Sequence, residues 1–484
     1  MKMSVGDMSS GTTRTESSER ESAELIADLV SDARDAMAEI ADYDQRQADR
    51  LARAVGWAVY EEERCRELSE LAVETTGLGD VEDKYRKKRR KIPGVLDDLL
   101  GEPTVGVIET DPERNLTEIA KPVGVVGAVV PSTNPGATPT ILTMMALNSR
   151  NAIILSPSPR GRAVCEWVVE HVHEQLDRIG APQDLVQMVT PPVSKAKTYE
   201  LMDQVDLLQV TGSKDNVRAG QESGTPNYCV GEGNPVSIVD ETADVAAAAE
   251  RIATSKSFDN GTSCSSEGNA VVVDAVYEET VAALEAEGGY LCDDTERSKL
   301  REALFPDGHG SLNADALASE PSELAALADI EAPAARRADF LMTEGRGTGP
   351  EYPLSGEKIT TVLNVFRVPD VDAAFELTRD VLDYEGAGHS AGIHTSDPER
   401  ATRAGEEIDV ARLLVNQTHS FSNGGHYANG LGSTLSEGGG TWGGNQLDEN
   451  VTFEQFYQTT TVTRPIEGAT PPDAAALFDP YPDA

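Results

Sequence analysis

Cys264 is the residue of this sequence whose surroundings best fit covalent chemistry. It lies among small polar residues in the segment SFDNGTSCSSEGNAVVV (257–273), directly before an apolar run that predicts a strand. A cysteine on a turn of small residues leaves its sulfur accessible, and nearby backbone N–H groups can stabilise a thiolate and an oxyanion. Taken alone, the segment fits a nucleophile and a small buried apolar side chain equally well. We interpret the other cysteines, which lie in helical or apolar surroundings, as structural: Cys65, Cys165, Cys229 and Cys292.

The cysteines also indicate the compartment. They are five in number, scattered and without CxxC spacing, which argues against a disulfide framework and a structural zinc site. Residues 1–22 are rich in Ser, Thr and Glu and lack an apolar core, so they predict a frayed tail and not a secretory leader. The longest compact apolar run, VGVVGAVV (123–130), is far shorter than the ~18 residues of a membrane span. We therefore expect a soluble cytoplasmic protein.

The composition disfavours two classes of partner. The 484 residues include 41 Lys and Arg against 83 Asp and Glu, a formal net charge of −42. So negative a chain repels phosphate backbones and anionic lipid, which argues against binding to nucleic acid or to a membrane surface. Two interpretations of the charge remain: ordinary acidic solubility, and adaptation to high salt, where screening tolerates dense surface carboxylate. Because only about a dozen of the basic residues are lysine, we favour a salt-adapted protein, as in a halophile.

The hydrophobic pattern predicts the elements that must position Cys264. Helical periodicity runs over residues 19–76, and two short strands follow over residues 104–121. Apolar strands then alternate with helices, which is typical of an α/β fold with a doubly wound parallel sheet. The strand VSIVD (236–240) is expected to close this unit, and a second strand–helix series follows over residues 242–430. The β-rich tail 447–484 is expected to pair with the hairpin and to leave an edge that invites a partner subunit.

One basic run, KYRKKRRK (84–91), interrupts this acidic chain. We interpret it as the solvated face of a helix, whose charges offset the surrounding acids. The alternative is a contact surface for the phosphorylated tail of a cofactor.

The segment around Cys264 resembles the nucleophile loop of CoA-acylating aldehyde dehydrogenases, including the aldehyde domain of bifunctional alcohol/aldehyde dehydrogenases. Seven further segments resemble motifs of that family in the same order, across about residues 25–465. They are PVGVVGAVVPSTNPGAT, RNAIILSPSPRGR, VTGSKDNVRAG, GEGNPVSIVDETAD, GEKITTVL, GAGHSAGIHT and GGGTWGGNQLDENV. A single such motif is weak evidence, whereas a full set in fixed order is not expected by chance. The resemblance implies the aldehyde dehydrogenase fold, with a Rossmann-like dinucleotide-binding domain, a catalytic domain and a β oligomerisation flap.

The resemblance assigns roles to Cys264 and Asn134. Cys264 would attack an aldehyde carbon, and the side-chain amide of Asn134 would stabilise the oxyanion together with the backbone N–H of Cys264. Hydride transfer to a nicotinamide would then leave an acyl thioester on Cys264. Without the resemblance, the sequence would indicate only that Asn134 is a turn residue before Pro135.

The acceptor of the acyl group depends on one position. Hydrolytic aldehyde dehydrogenases carry a glutamate that activates water, and the corresponding residue here is Val230. An apolar residue there makes water a poor acceptor, so the thiol of coenzyme A is expected to take the acyl group. Glu232 lies two residues further on and keeps hydrolysis to the free acid open as the alternative.

Several residues are expected to bind the dinucleotide. Thr211, Gly212 and Ser213 would hold the pyrophosphate near a helix N-terminus, where N–H groups and the helix dipole favour anions. Glu357 resembles the glutamate that hydrogen-bonds the nicotinamide ribose. No acid follows the strand NAIIL to contact a ribose 2′-hydroxyl. NAD and NADP therefore both stay open, because three nearby side chains are candidates for a 2′-phosphate: Ser156, Ser158 and Arg160.

The later motifs most resemble the acylating enzymes that oxidise sulfoacetaldehyde. A sulfonate needs cationic or N–H partners, for which Arg412, His419 and His426 are candidates. His389 is a candidate for a role near coenzyme A. We therefore expect oxidation of a small aldehyde, with sulfoacetaldehyde favoured over acetaldehyde and other short aldehydes, and no metal ion.

We predict four segments and a homodimer or homotetramer. The segments are a flexible acidic tail (1–22), a dinucleotide-binding domain with the hairpin (23–238), a catalytic domain (239–446) and a β-rich oligomerisation tail (447–484).

Salt dependence tests the interpretation of the charge. If the surface is adapted to salt, raising KCl from about 0.1 M to about 2 M screens carboxylate repulsion, so that the Tm and the rate of NAD(P)H formation both rise. Thermal unfolding followed by circular dichroism, with activity measured in the same buffers, checks this. Full activity and an unchanged Tm in dilute buffer would contradict it.

Overall fold

Four helices precede the first strand of the protein, whose computed structural model describes residues 9–308, 310–479 and 481. They are α1 (Ser9–Glu39), α2 (Gln45–Tyr60), α3 (Glu62–Thr76) and α4 (Val81–Gly101). The carboxylates of Asp44 and Asp80 accept first-turn N–H groups of α2 and α4, and Gly77 ends α3 in the left-handed conformation. The periodicity over residues 19–76 is confirmed as α1 to α3. The segment predicted to be a frayed tail overlaps α1, which begins at Ser9, while residues 1–8 lie outside the described residues.

The basic run lies in α4, and the prediction of a solvated face is wrong for its lysines. All four of them are buried: Lys84, Lys87, Lys88 and Lys91. Their spacing of three and four residues places them on the side of the helix that faces the protein. Acceptors lie on that side, namely the carboxylate of Asp259 and the carbonyls of Gly424 and Gly425. Arg86, by contrast, keeps 67 % of its side chain exposed.

The predicted hairpin is confirmed and leads into a parallel sheet. Strands β1 (Gly106–Asp111) and β2 (Leu116–Pro122) pair antiparallel. The sheet that follows has the order β5-β4-β3-β6-β7, with every pair parallel. Its strands are β3 (Val125–Val130), β4 (Ala152–Pro157), β5 (Val186–Met188), β6 (Leu207–Thr211) and β7 (Asn227–Val230). The helices between and beside them are α5 (Ala137–Asn148), α6 (Arg162–Ile179), α7 (Lys195–Gln204) and α8 (Lys214–Glu222).

The remaining parallel strands form a seven-stranded sheet with the order β10-β11-β12-β9-β8-β13-β14. They are β8 (Val236–Val239), β9 (Asn269–Val273), β10 (Gly289–Leu291), β11 (Phe340–Glu344), β12 (Val362–Val368), β13 (Ala391–His394) and β14 (Leu413–Val415). The helices are α9 (Val245–Ser257), α10 (Tyr277–Ala286), α11 (Asp294–Leu304), α12 (Pro321–Leu327), α13 (Val371–Tyr384), α14 (Pro398–Glu407) and α15 (His419–Ser422).

The strand VSIVD is therefore placed differently from the prediction. It is β8, which pairs with β9 and β13 in the second sheet and does not close the first. An apolar run that is buried on both faces fits the centre of either sheet. The pairing partners, which the local pattern does not contain, decide between the two.

The tail completes a third, antiparallel sheet. Strand β15 (Tyr457–Thr463) pairs with β2, which gives the order β1-β2-β15 and confirms the predicted pairing with the hairpin. Before this strand, Leu447, Val451 and Phe456 pack into the core of the first sheet and the N-terminal helices. The last helix is α16 (Ala474–Phe478). In the described part of the chain, no helix is both long and apolar enough to cross a membrane.

Candidate active site

A cavity of about 1090 Å³ opens at the carboxyl ends of β3, β4 and β6. The chain leaves β3 toward β4 and β5 on one side and later returns to β6 on the other. The loops after these strands therefore diverge, and a crevice forms between them, as at the switch point of other doubly wound sheets. The nucleophile loop before β9 and residues of α4 line the same cavity.

The cavity gathers most of the residues that the sequence analysis selected. Eight of them line it: Cys264, Asn134, Thr211, Gly212, Ser213, Glu357, Ser156 and Ser158. Five others do not line it: Arg160, His389, Arg412, His419 and His426.

The loop that carries Cys264 reverses the chain in a few residues. Asp259, Asn260 and Gly261 all adopt positive φ, at 52°, 51° and 68°. A Cβ on Gly261 would lie 2.7 Å from the carbonyl oxygen of Thr360, so the close approach requires glycine. This tight turn after α9 leaves Cys264 partly accessible at the cavity wall.

Glu437 and His389 are the ionisable neighbours of Cys264. The Cys264 thiol lies 3.4 Å from Glu437 Oε2, and His389 Nε2 lies 3.8 Å from the same oxygen. Sequence reasoning missed Glu437, although this residue directly precedes the three glycines that begin the motif GGGTWGGNQLDENV. A Cβ on Gly388 would lie 2.1 Å from Gly439 O, so two glycine segments touch here and bring the acid beside the imidazole.

The charges around Cys264 keep its proton in place. Burial, followed by the negative charges of Glu437 and Glu357, raises the pKa of the thiol well above its usual value. Burial alone would also raise the pKa of the Glu437 carboxyl, but His389, Arg412 and Lys91 lower it to about 2. The free protein therefore holds a protonated thiol beside an ionised carboxylate.

The same three groups include ligand types that zinc accepts. The ligating atoms of Cys264, His389 and Glu437 all lie within 4.8 Å of one another. We assign no metal to them, because the thiol is the accessible sulfur of the cavity.

Two N–H donors are free near Cys264. The amide oxygen of Asn134 accepts from Lys87 Nζ at 2.8 Å, while its Nδ2 donates to no group in the described residues. The backbone N–H of Cys264 is likewise without an acceptor within residues 9–308, 310–479 and 481. Both donors are therefore available to an oxygen that becomes negative beside the sulfur.

Another part of the cavity wall can bind an anion. Gly212 and Ser213 directly precede α8, and the Ser213 side chain makes no capping bond to that helix. First-turn N–H groups of α8 therefore remain for a phosphate. A Cβ on Gly212 would contact only Asn216, at 3.6 Å, so the approach to the backbone is open.

The candidates for a 2′-phosphate separate into different surroundings. Ser156 is buried, and its hydroxyl pairs with that of Thr198 at 2.9 Å. Ser158 lines the cavity, whereas Arg160 is exposed outside it. Lys195, which sequence reasoning missed, also lines the cavity and forms a 3.4 Å ion pair with Asp215.

Two acids that line the cavity, Glu357 and Glu232, are constrained by their partners. Glu357 Oε1 accepts the backbone N–H of Gly233 at 2.8 Å, and burial together with Glu232 raises the pKa of Glu357 well above its usual value. Glu232 forms a 2.6 Å ion pair with Lys214. Val230 is buried at the end of β7 and does not line the cavity. The position predicted for a hydrolytic base is therefore apolar, and the carboxylate of the predicted alternative, Glu232, is already paired.

The structure does not bring the predicted sulfonate partners to the cavity. Arg412 donates to the carbonyls of His389 and Gly438, each at 2.7 Å. His419 shares a 2.9 Å hydrogen bond with Ser390, and burial lowers its pKa to about 3, so it is neutral. The Nδ1 of His426 accepts the N–H of Ala428 in its own loop.

Arg90 is a cation of the cavity that sequence reasoning did not select. It lines the cavity, donates to Phe421 O at 2.8 Å and lies 4.2 Å from the centre of the Phe421 ring. Among the described residues no carboxylate forms an ion pair with it. Burial lowers the pKa of Arg90 to about 10, so it stays charged at neutral pH. The feature of the sequence that could have pointed to Arg90 is the basic run KYRKKRRK (84–91), which contains it.

Comparison with known proteins identifies relatives along nearly the whole chain. The model of the aldehyde dehydrogenase family matches residues 7–289. An acylating sulfoacetaldehyde dehydrogenase from Cupriavidus necator is 45 % identical over 457 residues, which cover 94 % of this chain and 92 % of the relative. An acylating sulfoacetaldehyde dehydrogenase from Bilophila wadsworthia is 40 % identical over 91 % of this chain and 95 % of its own.

Solved structures agree with the fold. An acetylating aldehyde dehydrogenase from Geobacillus thermoglucosidasius has a TM-score of 0.89 and 32 % identity, over 94 % of this chain and 99 % of that one. A propionaldehyde dehydrogenase from Rhodopseudomonas palustris was solved with bound CoA and an acylated cysteine. It has a TM-score of 0.78 and 25 % identity, over 91 % of this chain and 97 % of that one. An engineered glycolyl-CoA reductase with bound NADP⁺ has a TM-score of 0.80 and 25 % identity, over 91 % and 96 %.

Replacement of Glu437 by glutamine tests the electrostatics of the thiol. Because the Glu437 charge raises the pKa of Cys264, Glu437→Gln is expected to lower that pKa. The pH midpoint of iodoacetamide alkylation should therefore move to lower pH. Glu232→Gln, which removes a carboxylate paired with Lys214, serves as the control and is expected to leave the midpoint in place. A midpoint that moves upward or stays fixed in Glu437→Gln would contradict the assignment.

Proposed function

The chain belongs to the aldehyde dehydrogenase family, and from this premise we propose that it oxidises sulfoacetaldehyde to its acyl-CoA thioester with NAD⁺ or NADP⁺. One observation carries the proposal: an accessible cysteine shares its cavity with two N–H donors that have no acceptor among the described residues, while the position predicted for a hydrolytic base is the buried Val230. The similarity to acylating sulfoacetaldehyde dehydrogenases over 94 % and 91 % of this chain supports it.

Cys264 forms the covalent bond to the aldehyde carbon. Its thiol proton has a path to the Glu437 carboxylate at 3.4 Å and from there to the imidazole of His389, whose pKa burial lowers. The carbonyl oxygen becomes an oxyanion, which Asn134 Nδ2 and the Cys264 N–H are placed to stabilise. Loss of one such donor typically costs about 10²–10³ in rate.

The dinucleotide has a binding surface in the same cavity. Gly212, Ser213 and the first turn of α8 would hold its pyrophosphate, and Glu357 would hold the nicotinamide ribose. When bound, the nicotinamide would accept the hydride that leaves the carbon attached to Cys264, and that carbon would then be a thioester carbonyl. Ser158 and Lys195 are the cavity residues available to distinguish a ribose 2′-hydroxyl from a 2′-phosphate.

The acyl group then passes to the thiol of coenzyme A. Water needs a general base to attack a thioester, and the paired Glu232 does not supply one. A thiol is a better nucleophile, and its proton has the same Glu437–His389 path. The new thioester forms as the Cys264–acyl bond breaks, and the departing Cys264 sulfur regains a proton.

A substrate sulfonate would give the Arg90 guanidinium an anionic partner. A half-buried guanidinium for which the described residues supply no ion pair, in a protein with 83 acids, fits an anionic ligand better than a structural role. Sulfoacetaldehyde carries such a group, and acetaldehyde does not.

We propose that the protein is a homo-oligomer of the cytoplasm. The sheet β1-β2-β15 has two edge strands, which fits pairing between subunits in a homodimer or homotetramer. The five cysteines are all free thiols, which fits a reducing cytoplasm and suits salt-rich cytosol as the charge suggests.

Dependence on coenzyme A tests the reaction directly. We expect NAD(P)H formation from sulfoacetaldehyde in about 2 M KCl to require coenzyme A, with equimolar acyl-CoA formed, because water lacks a base. Cys264→Ala, which removes the nucleophile, is expected to form no NAD(P)H above background. Equal rates without coenzyme A, with free sulfoacetate as product, would establish the hydrolytic alternative and return Glu232 as its base.

Replacement of Arg90 tests the substrate. A charge-assisted hydrogen bond is worth roughly 1.5–3 kcal/mol, so Arg90→Met is expected to lower kcat/KM for sulfoacetaldehyde by about 10–100-fold and to leave that for acetaldehyde nearly unchanged. Arg89→Met is the matched control, because Arg89 lies on the same helix, contacts Tyr60 and does not line the cavity. Equal losses for both aldehydes in Arg90→Met would contradict a role in sulfonate binding.

A further inference from the structure

Lys87 determines which end of the Asn134 amide faces the cavity. Its Nζ lies 2.8 Å from Asn134 Oδ1. An ammonium group can only donate, so this contact requires the amide oxygen on the side of α4. The Nδ2 group is left on the other side, where it meets no acceptor in the described part of the chain. The donor that an oxyanion needs is thus oriented before any substrate binds.

Asp259 holds Lys87 at this place. Its Oδ2 accepts from Lys87 Nζ at 2.6 Å, from Lys84 Nζ at 3.2 Å and from Thr262 Oγ1 at 2.7 Å. Its Oδ1 accepts the backbone N–H of Asp80 at 2.9 Å. Asp259 belongs to the loop that carries the nucleophile. One carboxylate therefore connects that loop to the helix that orients Asn134.

We propose that Lys87, held by Asp259, is a positioning residue that aligns the Asn134 amide with the backbone N–H of Cys264 on one oxyanion. This inference rests on the proposed function, since it requires an oxyanion on the Cys264 adduct. Lys87 also lines the cavity, and direct contact with the substrate is the competing role. The two roles differ in what they do to KM and in whether the effect passes through Asn134.

A double-mutant cycle distinguishes them. Lys87→Met keeps the apolar stem and removes the donor; we expect kcat to fall by at least about tenfold, with KM for aldehyde and coenzyme A within about threefold. Asn134→Ala should lower kcat by about 10²–10³. Because Lys87 acts through Asn134, the double variant should be no slower than Asn134→Ala alone. Lys87→Arg, which restores a donor, should recover part of the loss.

Lys84 is the matched control. It is buried like Lys87 and bonds the same carboxylate, but its second contact is the carbonyl of Thr133 and not the Asn134 side chain. We expect Lys84→Met to lower the Tm about as much as Lys87→Met and to lower kcat much less. Equal kcat losses in the two lysine variants, or losses that multiply in the double variant, would overturn the proposal.

Two further outcomes are informative. If Lys87→Met does not fold, Lys87→Gln gives the same test, because its amide can donate or accept and no longer dictates the orientation of Asn134. A raised KM with unchanged kcat in either variant would assign Lys87 to substrate binding and reject positioning. A wild-type protein without coenzyme A-dependent NAD(P)H formation would overturn the proposed function itself, before any variant is compared.

Discussion

The site depends on the interaction of the buried Asp259 carboxylate with Lys84 and Lys87. An ionised carboxylate removed from water is stable only when charges and hydrogen bonds replace its hydration. Burial acts to raise the pKa of Asp259, yet Lys84, Lys87 and Thr262 lower it to about 2. The partners come from α4 and from the nucleophile loop, so satisfying this one charge holds the two together. The contact with Thr262 is local to the loop, whereas the contacts with Lys84 and Lys87 join residues that are 175 and 172 positions apart in the chain.

The charge distribution in the cavity differs from that of the whole chain. The protein has a net charge of −42, but α4 presents Arg86, Lys87, Arg90 and Lys91 to the cavity. A local excess of cations surrounded by an acidic exterior can hold an anionic aldehyde or the phosphates of cofactors. Acids line the cavity as well, and Glu437 is the one whose carboxylate lies 3.4 Å from the Cys264 thiol. It keeps the thiol protonated in the free protein, which limits side reactions of an accessible cysteine.

Whether water or coenzyme A accepts the acyl group depends on whether a general base lies on the side from which the thioester is attacked. A carboxylate near the sulfur does not by itself make a hydrolase, since the base must reach a water on the attacking side. In this chain Val230 is buried, and Glu232 is paired with Lys214. The Glu437 carboxylate lies beside the Cys264 sulfur and next to His389. This position suits proton transfer to and from the thiols of Cys264 and coenzyme A. This arrangement explains how a site that contains several acids favours coenzyme A.

Periodicity was sufficient to predict the helices over residues 19–76 and the two strands of the hairpin, because these follow from local patterns of apolar and turn residues. It placed β8 in the wrong sheet, since the apolar strand carries no record of its pairing partner. Likewise, the basic run has the composition of a solvated face, and only the packing of α4 against Asp259 shows that its lysines are buried.

The sequence was thus sufficient for the family and for selecting a candidate nucleophile and the cavity residues that follow the strands, because these lie in contiguous motifs. Tertiary structure alone decided which charges meet: Glu437 lies beside Cys264, Lys87 beside Asn134, and Arg412 away from the cavity. These residues are distant in the chain, and their electrostatic interactions depend on distances and burial that no local pattern encodes.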